Sequence, residues 1–202
     1  MLIFRLLFLT IFIGCAGPGR QMLVFMPQKS YSEYLQEFSS CTGKGMIDSN
    51  GPLKGKLSFV FKSQRDSTFF QFGDALGRKA LLMWITPNSV TARNLIENKQ
   101  YNYGEIIEFF PLLNVLEPND ITQFVWGVEP KFKDKFKSID PSLAKNFELN
   151  FFSDQLMNEK RALVEAKFRD KKSKQAININ IKSRNRNSEY VNLKKVWKLL
   201  KY

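Results

Sequence analysis

The chain has 202 residues, a formal net charge of +12 and no histidine, and 44% of its residues are hydrophobic. This hydrophobic content is typical of a folded protein rather than a disordered one. The absence of histidine excludes His-dependent triads and dyads and His-ligated zinc, and two cysteines are too few for a cysteine metal cluster. Carboxylate or lysine chemistry stays open, but no pattern indicates it. We therefore predict no enzymatic activity, no catalytic residue, no metal and no cofactor.

The N-terminus is typical of an export signal. A single positive charge, Arg5, precedes a short apolar run over 6–13, and Gly14 is followed by Cys15. A membrane-spanning helix needs about 20 apolar residues, so this run is too short to cross a bilayer. A small residue directly before a cysteine favours a lipoprotein-type cleavage site. Residues 1–14 are therefore predicted to be a lipoprotein signal peptide.

Cleavage at this site would make Cys15 the first residue of the mature protein, with lipid attached to its sulfur. Residues 15–29 would then be a lipidated tether, and residues 30–202 a single domain of a size that can bury a core. Two alternatives stay open, namely a plain secretory signal cut near Ala16 and an ordinary buried N-terminal segment. The lipoprotein interpretation places the protein outside the cytoplasm and ties it to a membrane.

Lysine and arginine crowd the C-terminal third of the chain. Such a charge balance favours anionic partners. For an exported protein these are anionic lipid headgroups or an acidic partner protein, and nucleic-acid binding is not expected. A basic surface that only aids solubility is the alternative.

The chain after the tether is predicted to begin with one helix and an antiparallel meander. Ser30 and Glu33 form a capping-box pattern, and apolar residues recur at helical spacing over 31–40. From Thr42 the apolar period changes to two, which is typical of strands. Polar turns separate the predicted strands, which are 54–64, 66–73, 78–86, 89–96 and a short extension over 100–103.

The pattern changes again over 104–127. Pro111 interrupts one predicted short helix and Pro118 begins another. Large apolar side chains dominate both, so we expect these helices to cover an apolar surface. After an irregular, lysine-rich segment over 128–144, strands resume near 146–153, 160–170, 175–184 and 190–200. A meander of about nine to eleven strands curls toward a barrel, because closure hides its edge strands.

Taken in order, these segments resemble the LolB family of outer-membrane lipoprotein receptors. Two departures from the family pattern are Ala75, where a proline is expected, and Val128 after the Trp-Gly helix end. The resemblance covers most of the mature chain and is carried by the strand 43–47, the strands 56–64 and 66–72, the loop Asp74-Ala75-Leu76-Gly77, the helical segments 110–113 and 121–127, and the tail 191–199.

The resemblance implies a mainly β fold with helices: an unclosed antiparallel β-barrel whose mouth the helices plug and whose interior receives acyl chains. It also implies a monomeric receptor, anchored in the outer membrane and facing the periplasm. Such a receptor accepts lipoproteins from a LolA-type periplasmic carrier and places their acyl chains among outer-membrane lipids, with no bond made or broken. A lipid-binding or structural envelope lipoprotein of the same fold, with a different apolar cargo, is the alternative.

The same resemblance assigns roles to particular residues. Leu76 corresponds to a loop leucine that assists insertion into the membrane, although a leucine folded back onto the core is the alternative. The basic C-terminal segments are expected to help dock an acidic face of the carrier. Apolar side chains predicted to line the acyl-chain cavity, with packing in a filled core as the alternative for each, are Phe59, Phe61, Phe70, Phe72, Leu82, Trp84, Ile107, Phe110, Leu113 and Trp126.

Overall fold

The computed structural model describes residues 29–51, 54–131, 145–153 and 162–198. The predicted signal peptide, the lipidation site Cys15 and all but the last residue of the predicted tether lie outside the described residues. So does most of the lysine-rich segment predicted to be irregular. The description below concerns the remainder of the chain.

In the described part of the chain, nine strands form one antiparallel sheet in the order β6-β5-β4-β3-β2-β1-β9-β8-β7. Among these strands the two at the edges, β6 and β7, do not pair with each other, so the sheet is not closed into a barrel. The predicted unclosed antiparallel sheet with helices is therefore confirmed. The strands are β1 Ser40–Ser49, β2 Gly55–Gln64, β3 Ser67–Gly73, β4 Lys79–Thr86, β5 Ser89–Asn94, β6 Lys99–Tyr101, β7 Phe147–Ser153, β8 Leu163–Asp170 and β9 Gln175–Asn187.

Two of the described helices begin at capping boxes that the sequence supplies. Helix α1 (Tyr31–Glu37) carries the predicted capping box, in which the Ser30 hydroxyl accepts from the backbone N–H of Glu33. Helix α2 (Tyr103–Phe109) has the equivalent pair Asn102 and Glu105. A 3₁₀ turn (Pro111–Asn114) and helix α3 (Pro118–Trp126) follow, each beginning at a proline. Helix α4 (Leu193–Trp197) lies near the C-terminus.

One face of the sheet, called here the inner face, packs against α2, the 3₁₀ turn and α3. Helix α3 contacts β2, β3, β4 and β9, while α2 contacts β5 and β6. The main hydrophobic core lies between this face and the helices. The expectation that the helical segment covers an apolar surface is thereby confirmed.

Two glycines in β1 allow aromatic rings of β2 to lie against that strand. Gly43 pairs with Phe61 across the β1–β2 ladder, and Gly45 pairs with Phe59. A Cβ atom added at Gly43 would lie 2.6 Å from the Phe61 ring and would also meet the carbonyl oxygen of Ser183. A larger residue would displace the ring, so these glycines fix where the aromatic side chains sit.

The opposite, outer face of the sheet is covered in part by α4. The segment 190–200 was predicted as a strand, and this prediction is wrong, because its described part contains a helix over Leu193–Trp197. Val196 of that helix forms a small buried cluster with Phe69 of β3 and Leu82 of β4. This cluster explains why β4 is apolar on both faces, since each face is covered by helices.

Candidate functional site

An apolar cavity of about 50 Å³ lies between the inner face and the covering helices. Strands β1 to β4 and β9 form one wall, and residues 110–125 form the other. Every lining side chain that the structure describes is apolar, so these residues offer no side-chain hydrogen-bonding group to a ligand and favour hydrocarbon. The lining residues are Ile47, Phe59, Phe70, Phe72, Met83, Ile85, Phe110, Leu112, Leu113, Ile121, Phe124, Val125 and Ile179.

Phenylalanines of β2 and β3 form the strand wall of this cavity. The ring centroids of Phe59 and Phe70 are 5.6 Å apart in an edge-to-face arrangement, and those of Phe70 and Phe72 are 5.8 Å apart and stacked. Both geometries are favourable for aromatic pairs. The strand wall is therefore a connected aromatic surface rather than a set of separate side chains.

The ten residues predicted to line a cavity fall into three groups. Phe59, Phe70, Phe72, Phe110 and Leu113 line it. Phe61 and Trp126 are buried in the adjoining core, and Ile107 packs partly buried against that core, but none of the three is a lining residue. Leu82 and Trp84 belong to the cluster on the outer face, so they do not face this cavity.

Several lining residues were not predicted. On β4 the residues that face the cavity are Met83 and Ile85, one position away from the predicted Leu82 and Trp84. Side chains of a strand point alternately to the two faces of the sheet. A prediction that is off by one residue therefore selects the side chains of the wrong face. The register of β4 against β3 identifies the inward-facing residues of β4. Met83 pairs with Phe70, so the two side chains lie on the same face of the sheet, the face that lines the cavity.

A buried polar network holds α3 on the inner face. The indole N–H of Trp126 donates to the Ser63 hydroxyl at 2.8 Å. Thr68 donates to the same hydroxyl at 2.9 Å and lies 3.0 Å from the hydroxyl oxygen of Thr122 on α3. These bonds join α3 to β2 and β3, and Trp126 is 0% exposed. Trp126 therefore has a positioning role in the helical wall.

Two arginines of β9 bind the C-terminal carbonyls of α3. Arg184 donates from Nε to Val125 O at 2.6 Å and from Nη2 to Phe124 O at 3.2 Å. Arg186 donates to Trp126 O at 2.7 Å, and its guanidinium lies 4.1 Å from the centre of the Tyr34 ring. Cations are favourable at a helix C-terminus, where carbonyls lack partners within the helix. The C-terminal end of α3 is therefore anchored to the sheet.

The hairpin loop between β3 and β4 presents an exposed leucine on an ordered turn. The Asp74 carboxylate accepts the backbone N–H groups of Leu76 and Arg78, both at 2.9 Å, and the Arg78 guanidinium at 2.7 Å. Gly77 adopts a positive φ of 76°. Leu76 is 79% exposed, so it does not fold back onto the core. The Arg78 guanidinium and these backbone bonds hold the pKa of Asp74 below its usual value.

The thiol of Cys41 is buried beside α3, with Sγ 3.7 Å from Val125 O. Burial raises the pKa of this thiol to about 11, an effect that Arg184 and Arg186 oppose. The thiol therefore stays neutral near neutral pH and acts as a packing group rather than a nucleophile.

Among the residues that the structure describes, titratable side chains do not line the cavity. Within the described ranges, no group of three or more His, Cys, Asp or Glu side chains is placed to hold a metal ion. None of the helices in those ranges combines the length and the hydropathy needed to span a bilayer.

The chain matches no protein-family model and no curated protein.

Proposed function

We propose that this protein is an outer-membrane-anchored lipoprotein receptor of the kind its sequence resembles. It would accept lipoproteins from a LolA-type periplasmic carrier and transfer their acyl chains into the outer membrane. The observation that carries the proposal is the wholly apolar cavity between an unclosed sheet and its covering helices. The exposed Leu76 loop supports it, because it offers a means of contact with a bilayer.

The energetics of acyl chains favour a hand-over mechanism. Each buried CH₂ contributes about 0.8 kcal/mol, so a sixteen-carbon chain carries on the order of 12 kcal/mol. Release into water at that cost is too slow to serve transport. A receptor must therefore receive the chain from one apolar site and pass it directly to the bilayer.

The cavity as it stands is too small for such a chain. A volume of about 50 Å³ has room for roughly four water-sized groups, given that each needs about 10–15 Å³ measured this way. Uptake therefore requires the helical wall to move away from the inner face. The segment from α2 through the 3₁₀ turn is the candidate, because the C-terminal end of α3 is held by Trp126, Arg184 and Arg186.

The predicted tether is compatible with contact between Leu76 and the same membrane. The N-terminal end of β1 and the 74–78 loop lie at opposite ends of the sheet, since β1 and β3 run in the same direction. Ten-residue β2 spans about 34 Å. A fully extended segment over 15–29 could span at most about 50 Å. A lipid on Cys15 and the Leu76 loop could therefore engage one bilayer together.

The proposal is tested by Leu76→Glu. We expect this variant to fold and to accept lipoprotein from the carrier, but to deliver it to vesicles more slowly, since a carboxylate opposes insertion into hydrocarbon. Val60→Glu is the matched control, because Val60 is an exposed apolar residue on a strand rather than in a hairpin loop. Acceptance is measured by transfer of a labelled lipoprotein between the two proteins, and delivery by its recovery with sedimented vesicles.

Two results would contradict parts of this proposal. Loss of acceptance with normal delivery in Leu76→Glu would refute the membrane role of the loop. Failure of the native protein to take acylated cargo from any LolA-type carrier would favour the alternative of a lipid-binding envelope lipoprotein with another cargo.

A further inference from the structure

A second exposed apolar residue, Ile96, stands in the turn between β5 and β6. It is 67% exposed. Exposed isoleucines scattered singly on a protein surface need no explanation. The construction and position of this turn, however, repeat those of the Leu76 loop.

Both turns use a side-chain oxygen to fix the backbone of the exposed residue. Asn94 Oδ1 accepts the backbone N–H of Ile96 at 2.9 Å, as Asp74 Oδ1 accepts that of Leu76 at 2.9 Å. In each case the acceptor lies two residues before the apolar side chain. A residue with positive φ closes each turn, namely Asn98 at 52° and Gly77 at 76°. Both apolar side chains therefore project from ordered turns.

The two turns lie at the same end of the sheet. Strands β3 and β5 run in parallel directions with β4 between them, so the turns that follow β3 and β5 emerge together. The backbone N–H of Leu95 donates to Ala80 O at 2.8 Å, which places the second turn beside the first residues of β4. Two strand spacings separate the hairpin midpoints, a distance of about 10 Å.

Cationic side chains surround the two turns and continue along this end of the sheet. Lys79 and Lys99 begin the strands that follow the two turns, and both are exposed. The β1–β2 and β8–β9 connections reach the same end, as the pairing of β9 with β1 and of β1 with β2 requires. They carry the exposed lysines Lys54, Lys171, Lys172 and Lys174.

Some carboxylates at this end are already engaged by cations, whereas Glu97, beside Ile96, accepts the Tyr101 hydroxyl at 3.0 Å. Lys99 pairs with Glu105 at 3.8 Å. Asp74 pairs with Arg78 at 2.7 Å, and Glu148 pairs with Lys171 at 2.6 Å. Within the described part of the chain, Lys79 and Lys172 form no ion pair. The end of the sheet therefore combines apolar tips with available positive charge.

We propose that Leu76 and Ile96 together form a two-point docking surface for a bilayer that contains anionic phospholipid. The two side chains enter the acyl region, and the surrounding lysines contact the headgroups. This inference rests on the proposed membrane role of Leu76 and adds Ile96 and the lipid charge to it. A lysine or arginine close to an anionic membrane surface strengthens binding roughly fivefold, so several of them make the docking strongly selective for anionic lipid.

The test uses the mature protein with Cys15→Ser, which removes the predicted lipid anchor and a second thiol, and with a single environment-sensitive fluorophore on an introduced cysteine. The three positions are Leu76→Cys, Ile96→Cys and the control Asn88→Cys, which lies in the exposed turn between β4 and β5 at the opposite end of the sheet. Native Cys41 is buried and does not take the label. Each protein is combined with vesicles that carry spin-labelled lipid in the acyl region, made either of phosphatidylcholine alone or of equal parts phosphatidylcholine and phosphatidylglycerol.

We expect vesicles with phosphatidylglycerol to quench the labels at 76 and 96 and to leave the label at 88 unquenched. Removing phosphatidylglycerol or raising the salt concentration should reduce the quenching at both tips. Quenching at 76 without quenching at 96 would overturn the two-point surface and leave the proposed function standing. Equal quenching on both kinds of vesicle would overturn the role of anionic lipid. No quenching at either tip would refute the membrane role of Leu76 as well. This assay contains no carrier and no cargo, so it does not test whether the protein accepts lipoproteins. The transfer measurement described above tests that.

Discussion

Replacing Arg184 by methionine tests whether the arginines of β9 hold the helical wall in place. The substitution keeps a long apolar stem but removes the donors to three carbonyls, those of Val125, Phe124 and Leu163. It also removes a positive charge from the C-terminus of α3, where such a charge is favourable. The carbonyls of this helix end would then lack their side-chain partner.

The expected loss follows from these bonds. A hydrogen bond from a charged donor contributes roughly 1.5–3 kcal/mol, and contributions from one side chain are not additive. Water re-solvates part of the freed carbonyls because Arg184 is only half-buried. We therefore expect the free energy of unfolding to fall by about 3 kcal/mol.

Urea unfolding followed by tryptophan fluorescence measures this change, since Trp126 at the end of α3 is fully buried. Lys182→Met is the matched control, because it removes the same charge from an exposed position on β9. Surface substitutions of that kind change stability by about 0.5 kcal/mol or less. Equal losses in the two variants would show that Arg184 does not anchor α3.

Three further predictions concern packing and titration. Gly43→Ala should lower the free energy of unfolding by about 1–3 kcal/mol in urea, because the added methyl overlaps the Phe61 ring. Burial raises the pKa of Cys41 from 9.0 to about 11, so stability should be full below pH 9 and should fall by about 2–3 kcal/mol as pH rises to 11. Urea titrations should show that Cys41→Ala flattens this dependence. The pKa of Asp74 is lowered chiefly by Arg78, so the stability it adds to its turn is full above its ordinary pKa of 3.8 and lost as pH falls through the lower folded value. NMR amide shifts of the turn should follow that transition, and their change above pH 4 would contradict it.

The alternation of β2 and β3 was sufficient to predict which of their residues face the core, but that of β4 was not. In β2 and β3, polar residues such as Lys62 and Gln71 alternate with the apolar ones over part of each strand, and they indicate which face is the outer one. In β4 the run from Leu81 to Ile85 is apolar throughout, so period two carries no information about the faces. Only pairing with β3 places Met83 inward and Trp84 outward.

The end of β5 and the C-terminal segment were missed for different reasons. Ile96 continues the apolar pattern of the predicted strand 89–96, but the Asn94 side chain accepts from Ile96 and Glu97 and turns the chain two residues earlier. In the C-terminal segment, the composition is compatible with a strand, which is what was predicted. The three-residue spacing of Leu193 and Val196, however, also fits one face of a helix, and the segment is helical. This helix packs on the outer face of β3 and β4. That packing is a tertiary contact, which the local sequence does not encode.

The small volume of the cavity bears on the direction of transfer. Opening the helical wall exposes apolar groups such as Phe110, Leu112 and Leu113, which are buried in the closed form. An incoming acyl chain replaces those contacts, so its net binding to the receptor is weaker than its full burial value of about 0.8 kcal/mol per CH₂. A bilayer offers the full value without any opening step. Under the proposed function, the receptor's own packed side chains therefore compete with the cargo and drive it toward the membrane.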